Sequence, residues 1–252
     1  MRLARDTLLV FRRNLRLSLR QPVWLTIGLV QPLIYLCLFG PLLESVAEAP
    51  GYPRGDPWQV FVPGLLVQLG LFGTMFVGFG LLRDVRDGVL ERLRVTPVSR
   101  AALLLGRVMR DLMVLLVQGA ALLGAGVLWG LRTPLWTFAV GLGVLALVGA
   151  AFSAGSYALA LIVRNEDTVA STLNLAGIPL LLLSGILLPM SLAPDWLQAI
   201  ADANPLRHVV DGARELFLHG GGPSVVPGVA AAAGMAFVFA ALAAWALRRE
   251  SR

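Results

Sequence analysis

Long apolar runs alternate with short polar stretches along nearly the whole chain of 252 residues. About 20 apolar residues in a helix cross the hydrocarbon core of a bilayer, so runs of this length predict transmembrane helices. Six such spans are expected, at about 22–43, 60–82, 112–131, 135–163, 168–188 and 225–247. The predicted fold class is therefore all-α integral membrane, with residues 1–252 forming a single transmembrane domain.

The stretch before the first predicted span, residues 1–21, is too polar to cross a membrane. On a helical projection its six arginines fall in one arc, and leucine, valine and phenylalanine side chains fall on the opposite side. This separation predicts an amphipathic helix that lies in the membrane interface, with Arg5, Arg12, Arg13 and Arg16 turned toward anionic head groups. A basic tail without regular structure is the alternative.

Residues 83–111 form the longest charged stretch and hold seven of the 21 arginines and four of the 15 acidic residues. Because they separate two predicted spans, they are expected to face an aqueous compartment. Thr96 and Pro97 suit the N-cap and the first position of a helix, so the stretch is predicted to contain two helices. From the charge pattern alone, it is either a solvated loop or a surface that docks a partner.

Residues 189–223, before the last predicted span, mix apolar and polar side chains. Asp211 and Glu215 are predicted to pair with Arg207 and Arg214 at helical spacing. This structural role is favoured over direct contact with a substrate.

Arginine is distributed unequally between the two sides of the six-span arrangement. Segments on the side of the termini hold 17 arginines, and those on the opposite side hold four. The positive-inside rule then predicts a multi-pass chain in the bacterial plasma membrane, with both termini and residues 83–111 in the cytoplasm. Tryptophans near the ends of the predicted spans agree with this orientation, because aromatic belts form at both interfaces.

The composition excludes several classes of protein. The chain is 57% hydrophobic and only 14% charged, whereas soluble domains carry about 25% charged residues. It contains no lysine, which excludes a Walker A phosphate-binding loop and Schiff-base chemistry. One cysteine and two histidines cannot form an ordinary zinc site. The high pI is explained by arginines at membrane borders, so no nucleic acid partner is expected.

Four short stretches resemble, in the expected order, motifs of type-2 ABC exporter permeases. These proteins are the membrane subunits of exporters for drugs, polysaccharides and lipid-linked cargo. The stretches are Phe61–Leu65 at the start of the second span, Glu91–Arg100 in the charged stretch, Leu183–Pro189 at the end of the fifth span, and Trp196–Leu206 before the last. No single motif is highly specific, but four in order on a six-span frame cover nearly the whole chain.

The resemblance implies a set of partners and a mechanism. A permease of this kind pairs with a second copy, and each copy docks a separate ABC ATPase that binds ATP and Mg²⁺, so this chain itself is expected to bind no cofactor. Residues 83–111 match the cytoplasmic coupling helix, which transmits ATP-driven movement to the spans. The interfacial helix is expected to form another part of the ATPase contact. Residues 189–223 match an outer re-entrant helical hairpin that closes the pathway.

The residues expected to carry these roles fall into two groups. Those for ATPase coupling are Asp84, Asp87, Leu90, Glu91, Arg92, Leu93, Arg94, Thr96 and Pro97. Those of the outer gate are Trp196, Asn204, Pro205, Asp211 and Arg214. In the first group the charged residues are expected to make polar contacts, the leucines apolar ones, and Thr96 and Pro97 to fix the angle between two helices.

The predicted spans contain almost no ionisable residues. This argues against an ion-coupled pump and favours a hydrophobic or amphiphilic cargo, either drug or lipid-like. Export of a polysaccharide or glycolipid is the alternative within the same class. A membrane-embedded enzyme and a membrane scaffold without transport are the alternatives from other classes.

Overall fold

The computed structural model describes residues 2–20, 22–46, 55–88, 100–187 and 189–250, and every regular element within these ranges is helical. The α-helices in chain order are α1 (Arg2–Leu19), α2 (Pro22–Val46), α3 (Pro57–Met75), α4 (Gly78–Arg86), α5 (Arg100–Leu128), α6 (Leu135–Val163), α7 (Glu166–Leu182), α8 (Asp195–Asp202), α9 (Pro205–His219) and α10 (Val225–Glu250). A short 3₁₀ turn, Met190–Leu192, precedes α8. The all-α class expected from the sequence is therefore confirmed for this part of the chain.

Four helical stretches are long and apolar enough to cross a membrane: Pro57–Asp84, Ala101–Leu128, Leu135–Val163 and Val225–Arg249. The chain is thus a multi-pass membrane protein. The first and fifth predicted spans coincide with α2 and α7. Of these, α2 contains the apolar stretch Gly28–Gly40, and α7 is only 17 residues long. The arrangement with six spans stays a prediction.

Helix α6 lies at the centre of the bundle and packs against α3, α5 and α10. Small residues allow these close contacts, as is usual where helices associate in lipid. A methyl group on Gly149 of α6 would lie 2.2 Å from Leu115 of α5, and one on Gly119 of α5 would lie 2.3 Å from Leu145 of α6. The two helices therefore interlock through glycine on one side and leucine on the other.

The predicted second span is two helices, because the helix breaks between Met75 and Gly78. The backbone N–H of Gly78 donates a 2.9 Å hydrogen bond to the hydroxyl of Ser156 on α6. A Cβ at position 78 would lie 2.5 Å from the backbone oxygen of Ser156, so only glycine fits here. This contact joins residues far apart in the chain, so it cannot be recognised from the pattern of apolar residues. One continuous helix was therefore expected.

Helix α9 lies between α3 and α10 in the stretch that follows α8. Gly212 of α9 meets Gly228 of α10, and a methyl group on either glycine would lie 3.1 Å from the other's Cα. Leu206, Val210 and Phe217 of α9 are fully or almost fully buried. The predicted outer hairpin therefore includes a helix that is packed into the protein core.

Helix α1 packs along the first half of α5. The contact centres on Gly106, where a Cβ would lie 2.7 Å from Val10 and 3.0 Å from the backbone oxygen of Thr7. The predicted amphipathic helix over residues 1–21 thus has one face bound to protein. Arg5, Arg12, Arg13 and Arg16 are exposed.

Candidate functional site

A charged cluster connects α4, α5 and α6 near the end of the predicted coupling stretch. Arg107 of α5 forms an ion pair and hydrogen bond with Asp84 of α4. The side chain of Arg107 is only 12% exposed, so this pair is shielded from water more than a surface pair is. Asp84, expected to contact an ATPase, therefore also joins α4 to α5, the two helices on either side of residues 89–99.

One turn further along α5, Asp111 is 3% exposed and lies within a stretch long enough to cross the membrane. Its Oδ2 accepts hydrogen bonds from the hydroxyls of Tyr157, at 2.6 Å, and Ser153, at 3.0 Å, both on α6. Its Oδ1 lies 3.2 Å from the guanidinium of Arg110. A buried carboxylate needs such partners, and an ionisable group at this depth is typical of a functional position.

Asp111 directly precedes the predicted third span, and no role in coupling or transport was expected for it. Helix α5 is continuous from Arg100, which carries Asp111 into the bundle. Ser153, Ser156 and Tyr157 form a polar stripe on one face of α6, within a run that is otherwise apolar. From that stripe a buried polar partner for α6 could have been predicted, since polar side chains at helical spacing inside a span indicate such a partner.

Together, Asp84, Arg107, Arg110, Asp111, Ser153 and Tyr157 are named the Asp111 cluster. An exposed ion pair between Arg86 of α4 and Glu166 at the start of α7 lies on the same end of the bundle, at 3.2 Å. Asp87 follows α4 and is exposed. The other expected coupling residues lie outside the described residues. They are Leu90, Glu91, Arg92, Leu93, Arg94, Thr96 and Pro97.

A second polar group lies at the start of α3, and it is centred on Arg214 of α9. Arg214 is 5% exposed. Its guanidinium donates to three backbone oxygens: Val60 at 3.0 Å, Gly185 at 2.6 Å and Ile186 at 3.2 Å. One side chain therefore joins α9 to the start of α3 and to the segment after α7.

Asn204, the N-cap residue of α9, makes a similar connection. Its Oδ1 caps α9 by accepting from the N–H of Leu206, with Pro205 at the first helical position. Its side-chain amide donates a 2.9 Å hydrogen bond to the backbone oxygen of Leu180. That oxygen lies in the last turn of α7, where helix carbonyls lack intrahelical partners.

The predicted pairing of charges along α9 is present in part. Arg207 contacts Asp211 at 3.6 Å and also Asp202 at 2.7 Å. Glu215 instead accepts a 2.6 Å hydrogen bond from the backbone N–H of Ser224. Burial raises the pKa of the Asp211 carboxyl above its usual range, and the nearby guanidinium groups of Arg214 and Arg207 oppose that rise.

Two further groups of predicted residues lie on the surface. Trp196 of α8 is 66% exposed, whereas Asn204 and Arg214 are buried. On α1, Arg12, Arg13 and Arg16 line an open groove with Arg20 and two leucines, and Arg5 is exposed beside them. Within the described ranges, no group of three or more His, Cys, Asp or Glu side chains could hold a metal ion.

The sequence profile of the ABC-2 type transporter family matches residues 5–218, which include the Asp111 cluster and the Arg214 contacts. The chain belongs to this family. It is the membrane permease of an ABC transporter and not the ATPase. In ABC transporters the ATP is bound by separate ATPase subunits, with which the permease associates.

Three similar proteins illustrate the degree of sequence identity between this chain and its relatives. The chain is 31% identical over 206 residues to the daunorubicin resistance ABC transporter permease protein DrrB1 of Streptomyces coeruleorubidus, covering 79% of this chain and 70% of that protein. It is 29% identical over 202 residues to the putative transport permease ycf38 of Cyanophora paradoxa, covering 79% and 70%. It is 26% identical over 224 residues to the probable doxorubicin resistance ABC transporter permease protein DrrC of Mycobacterium tuberculosis, covering 88% and 79%.

Proposed function

We propose that this permease exports a hydrophobic or amphiphilic cargo, drug or lipid-like, from the cell when a separate ATPase hydrolyses ATP. Two copies of the chain pair with two copies of the ATPase, which binds ATP and Mg²⁺. The complex lies in the plasma membrane, and both termini and residues 83–111 are in the cytoplasm. The observation that supports this most is the Asp111 cluster, because it joins both flanks of the expected docking stretch to the central helix.

The cluster gives a physical route for coupling. Residues 83–88 and 100–111 flank the centre of the stretch that the ATPase would move. Asp84 and Arg107 join these flanks, and Asp111 joins the second flank to Tyr157 of α6. A force on the docking stretch would therefore move α4, α5 and α6 together, because buried charge-assisted hydrogen bonds resist separation in an apolar surrounding.

Helix α1 supports a second contact with the ATPase and with lipid. Its face toward α5 is fixed by the close approach at Gly106, and Arg5, Arg12, Arg13 and Arg16 are exposed. Exposed guanidinium groups bind both acidic protein surfaces and anionic head groups. Any movement of α1 would reach α5 directly, at a position close in sequence to Arg107.

At the other end of the bundle, α9 acts as the outer gate. Arg214 and Asn204 hold it to α3 and to the last turn of α7 through backbone oxygens. Irregular backbone at membrane depth is tolerated only when protein satisfies its polar groups, and these side chains provide that. Release of these bonds would open the pathway at the side opposite to the ATPase.

The proposed cargo follows from the apolar character of the described helices and from the names of two relatives, which are called daunorubicin and doxorubicin resistance permeases. Outer surfaces of α7 and α10 carry large exposed apolar residues, including Leu175, Ile178 and Phe237. Lipid or a second copy of the chain would cover them. Exposed Ser171 and Asn174 on α7 favour a second copy on that helix, because polar groups in lipid are costly.

The test is transport by the purified complex. The chain is co-expressed with its ABC ATPase, and mass photometry of the detergent-purified complex measures its stoichiometry. Reconstituted into inverted vesicles, the complex is expected to accumulate daunorubicin only with ATP and Mg²⁺. A stable complex other than two plus two, or no ATP-dependent uptake, contradicts the corresponding part of the proposal.

A variant in the docking stretch tests the coupling role separately. Leu93→Asp is expected to abolish ATP-driven uptake while the permease still inserts in the membrane. Leu128→Asp is the matched control, because Leu128 is 85% exposed at the far end of α5. Uptake by Leu93→Asp equal to that of the control counts against residues 83–111 as the coupling segment.

A further inference from the structure

Gln68 of α3 is the one glutamine whose side-chain amide has no hydrogen-bond partner among the residues the structure describes. Both its Nε2 and its Oε1 are buried and unpaired, and the residue is 1% exposed. A buried amide without a partner destabilises the fold relative to an apolar side chain of similar size. Unpaired polar groups are rare inside proteins and therefore call for an explanation.

The neighbours of Gln68 on α3 are apolar, so leucine would fit the local pattern. Val67 and Leu69, directly before and after Gln68, are buried. Leu65 and Leu71, three residues away on each side, are buried as well. By contrast, the hydroxyl of Thr74 on the same helix donates a 2.7 Å hydrogen bond to the backbone oxygen of Gly70. Of these two buried polar side chains, only that of Gln68 is left with unused hydrogen-bonding capacity.

Gln68 lies on the face of α3 that contacts α7 and the segment after it. Four residues before it, a Cβ on Gly64 would lie 2.7 Å from the backbone oxygen of Ile186. Seven residues after it, Met75 meets Gly177 of α7, where a Cβ would lie 2.8 Å from the methionine methyl group. Positions at i, i+4 and i+11 share one side of a helix, so Gln68 lies between these two contacts.

Helix α7 is held weakly to the rest of the chain. Only Val169 and Gly177 are buried on it in the part of the chain described. Leu175 is 79% exposed and Leu182 is 59% exposed. An element with few contacts buried within its own chain separates from that chain at low free-energy cost, so α7 is able to move away from α3.

We propose that Gln68 is a specificity-determining residue that binds the cargo when α7 moves away from α3. This inference rests on the proposed export function. The carboxamide donates and accepts hydrogen bonds without carrying a charge. It therefore recognises a hydroxyl or carbonyl group of an amphiphilic cargo, while the apolar neighbours contact its hydrophobic part. In the closed arrangement the amide stays unpaired, and binding of cargo satisfies it.

Two variants on α3 test this assignment. Gln68→Leu removes the amide at nearly constant volume, and Thr74→Val is the matched control because its hydroxyl is already satisfied. Daunorubicin, which carries hydroxyl and carbonyl groups, is the probe, and its fluorescence polarisation measures binding to the purified complex. For Gln68→Leu the Kd is expected to rise about five- to tenfold, the loss of roughly one hydrogen bond. Thr74→Val is expected to bind as wild type.

Thermal unfolding separates a cargo contact from a structural role. Gln68→Leu is expected to unfold at the same temperature as wild type or roughly 2–4 °C higher, because an unpaired buried amide is removed. A lower unfolding temperature, or unchanged daunorubicin binding, overturns the assignment of Gln68.

Movement of α7 is tested by cysteine labelling. Gln68→Cys in a Cys37→Ser background is expected to react with N-ethylmaleimide at least several-fold faster during ATP turnover than without ATP, with Thr74→Cys as the control. Equal labelling in both conditions overturns the opening of α7. If wild type binds daunorubicin and Gln68→Leu binds it equally, only this inference fails. If the wild-type complex does not bind daunorubicin, the inference fails together with the drug cargo of the proposed function.

Discussion

The hydroxyl of Tyr157 on α6 donates a 2.6 Å hydrogen bond to Oδ2 of Asp111 on α5, and both side chains are buried. This bond joins the helix that follows the charged stretch to the central helix of the bundle. Ser153 adds a second hydroxyl to the same carboxylate oxygen. The pair therefore links a candidate docking surface to the part of the protein that contacts most other helices.

Tyr157→Phe is expected to remove this link while preserving the ring. A hydrogen bond to a charged group contributes about 1.5–3 kcal/mol, so the unfolding temperature should fall by several degrees. Transport per ATP hydrolysed should fall more than basal ATPase activity, because the variant weakens transmission and not ATP binding. Vesicle uptake and phosphate release, measured on one preparation, give this ratio.

Tyr35→Phe serves as the comparison for that variant. Among the described residues, the hydroxyl of Tyr35 on α2 has one long contact, at 3.4 Å, from the side-chain amide of exposed Gln31. Little change in stability or transport ratio is expected for it. If both tyrosine variants lower the ratio equally, the Asp111 cluster has no special role in coupling.

Asp84→Arg is expected to uncouple the two flanks of the charged stretch, because it places two guanidinium groups together at Arg107. Daunorubicin uptake should fall strongly. The double variant Asp84→Arg with Arg107→Asp restores opposite charges and should recover part of the uptake. Absence of any recovery argues that Asp84 acts only through a contact outside this chain.

Glu166→Gln tests an exposed ion pair on the same end of the bundle. Arg86 is 70% exposed, so its pair with Glu166 is well solvated. Exposed pairs contribute about 0–1 kcal/mol, and uptake should stay near that of wild type. A loss as large as that of Asp84→Arg indicates that α7 is coupled through Glu166.

Gly78→Ala is expected to destabilise the protein, because the new methyl group would lie 2.5 Å from the backbone oxygen of Ser156. Either the contact between α4 and α6 widens or the break between α3 and α4 shifts, and the unfolding temperature should fall by several degrees. Gly80→Ala on the same helix meets nothing within 4 Å. It should be neutral or slightly stabilising, since alanine favours a helix over glycine.

Arg214→Lys is expected to lower stability by at least about 2 kcal/mol, because an ammonium group cannot reach three carbonyl oxygens on two different segments. Arg207→Lys on the same helix is the control, since Arg207 contacts the carboxylates of Asp202 and Asp211, which a lysine can also reach, and donates to one backbone oxygen, that of Gln198. Circular dichroism during heating measures both. An equal loss for the two variants contradicts the special role assigned to Arg214.

The sequence carried most of the information about the class of protein. Runs of apolar residues predicted membrane helices, four of which are confirmed as long enough to span, and the motifs around Phe61 and Asn204 indicated the permease family. Absence of lysine indicated that this chain is not the ATPase. These properties depend on composition and on residues close together in the chain, so they can be recognised without a structure.

Local capping was also predictable, whereas most contacts between helices were not. Asn204 and Pro205 start α9 because of side-chain and backbone chemistry within a few residues. Arg214 was expected to pair with a carboxylate along its own helix, and the structure shows in addition that it binds the carbonyls of Val60, Gly185 and Ile186. Those oxygens become available only because α3 and the end of α7 lie beside α9.

The sequence by itself therefore determined the helical membrane class, the family and the positions of the polar stretches, because hydrophobicity and motif spacing act locally. Only the tertiary structure decided that Asp111 meets Tyr157, that Gly78 breaks the second predicted span and that Gln68 is left unpaired. Each of these depends on two segments far apart in the chain approaching within a few ångströms. Such approaches are fixed by the packing of whole helices, which no single stretch of residues encodes.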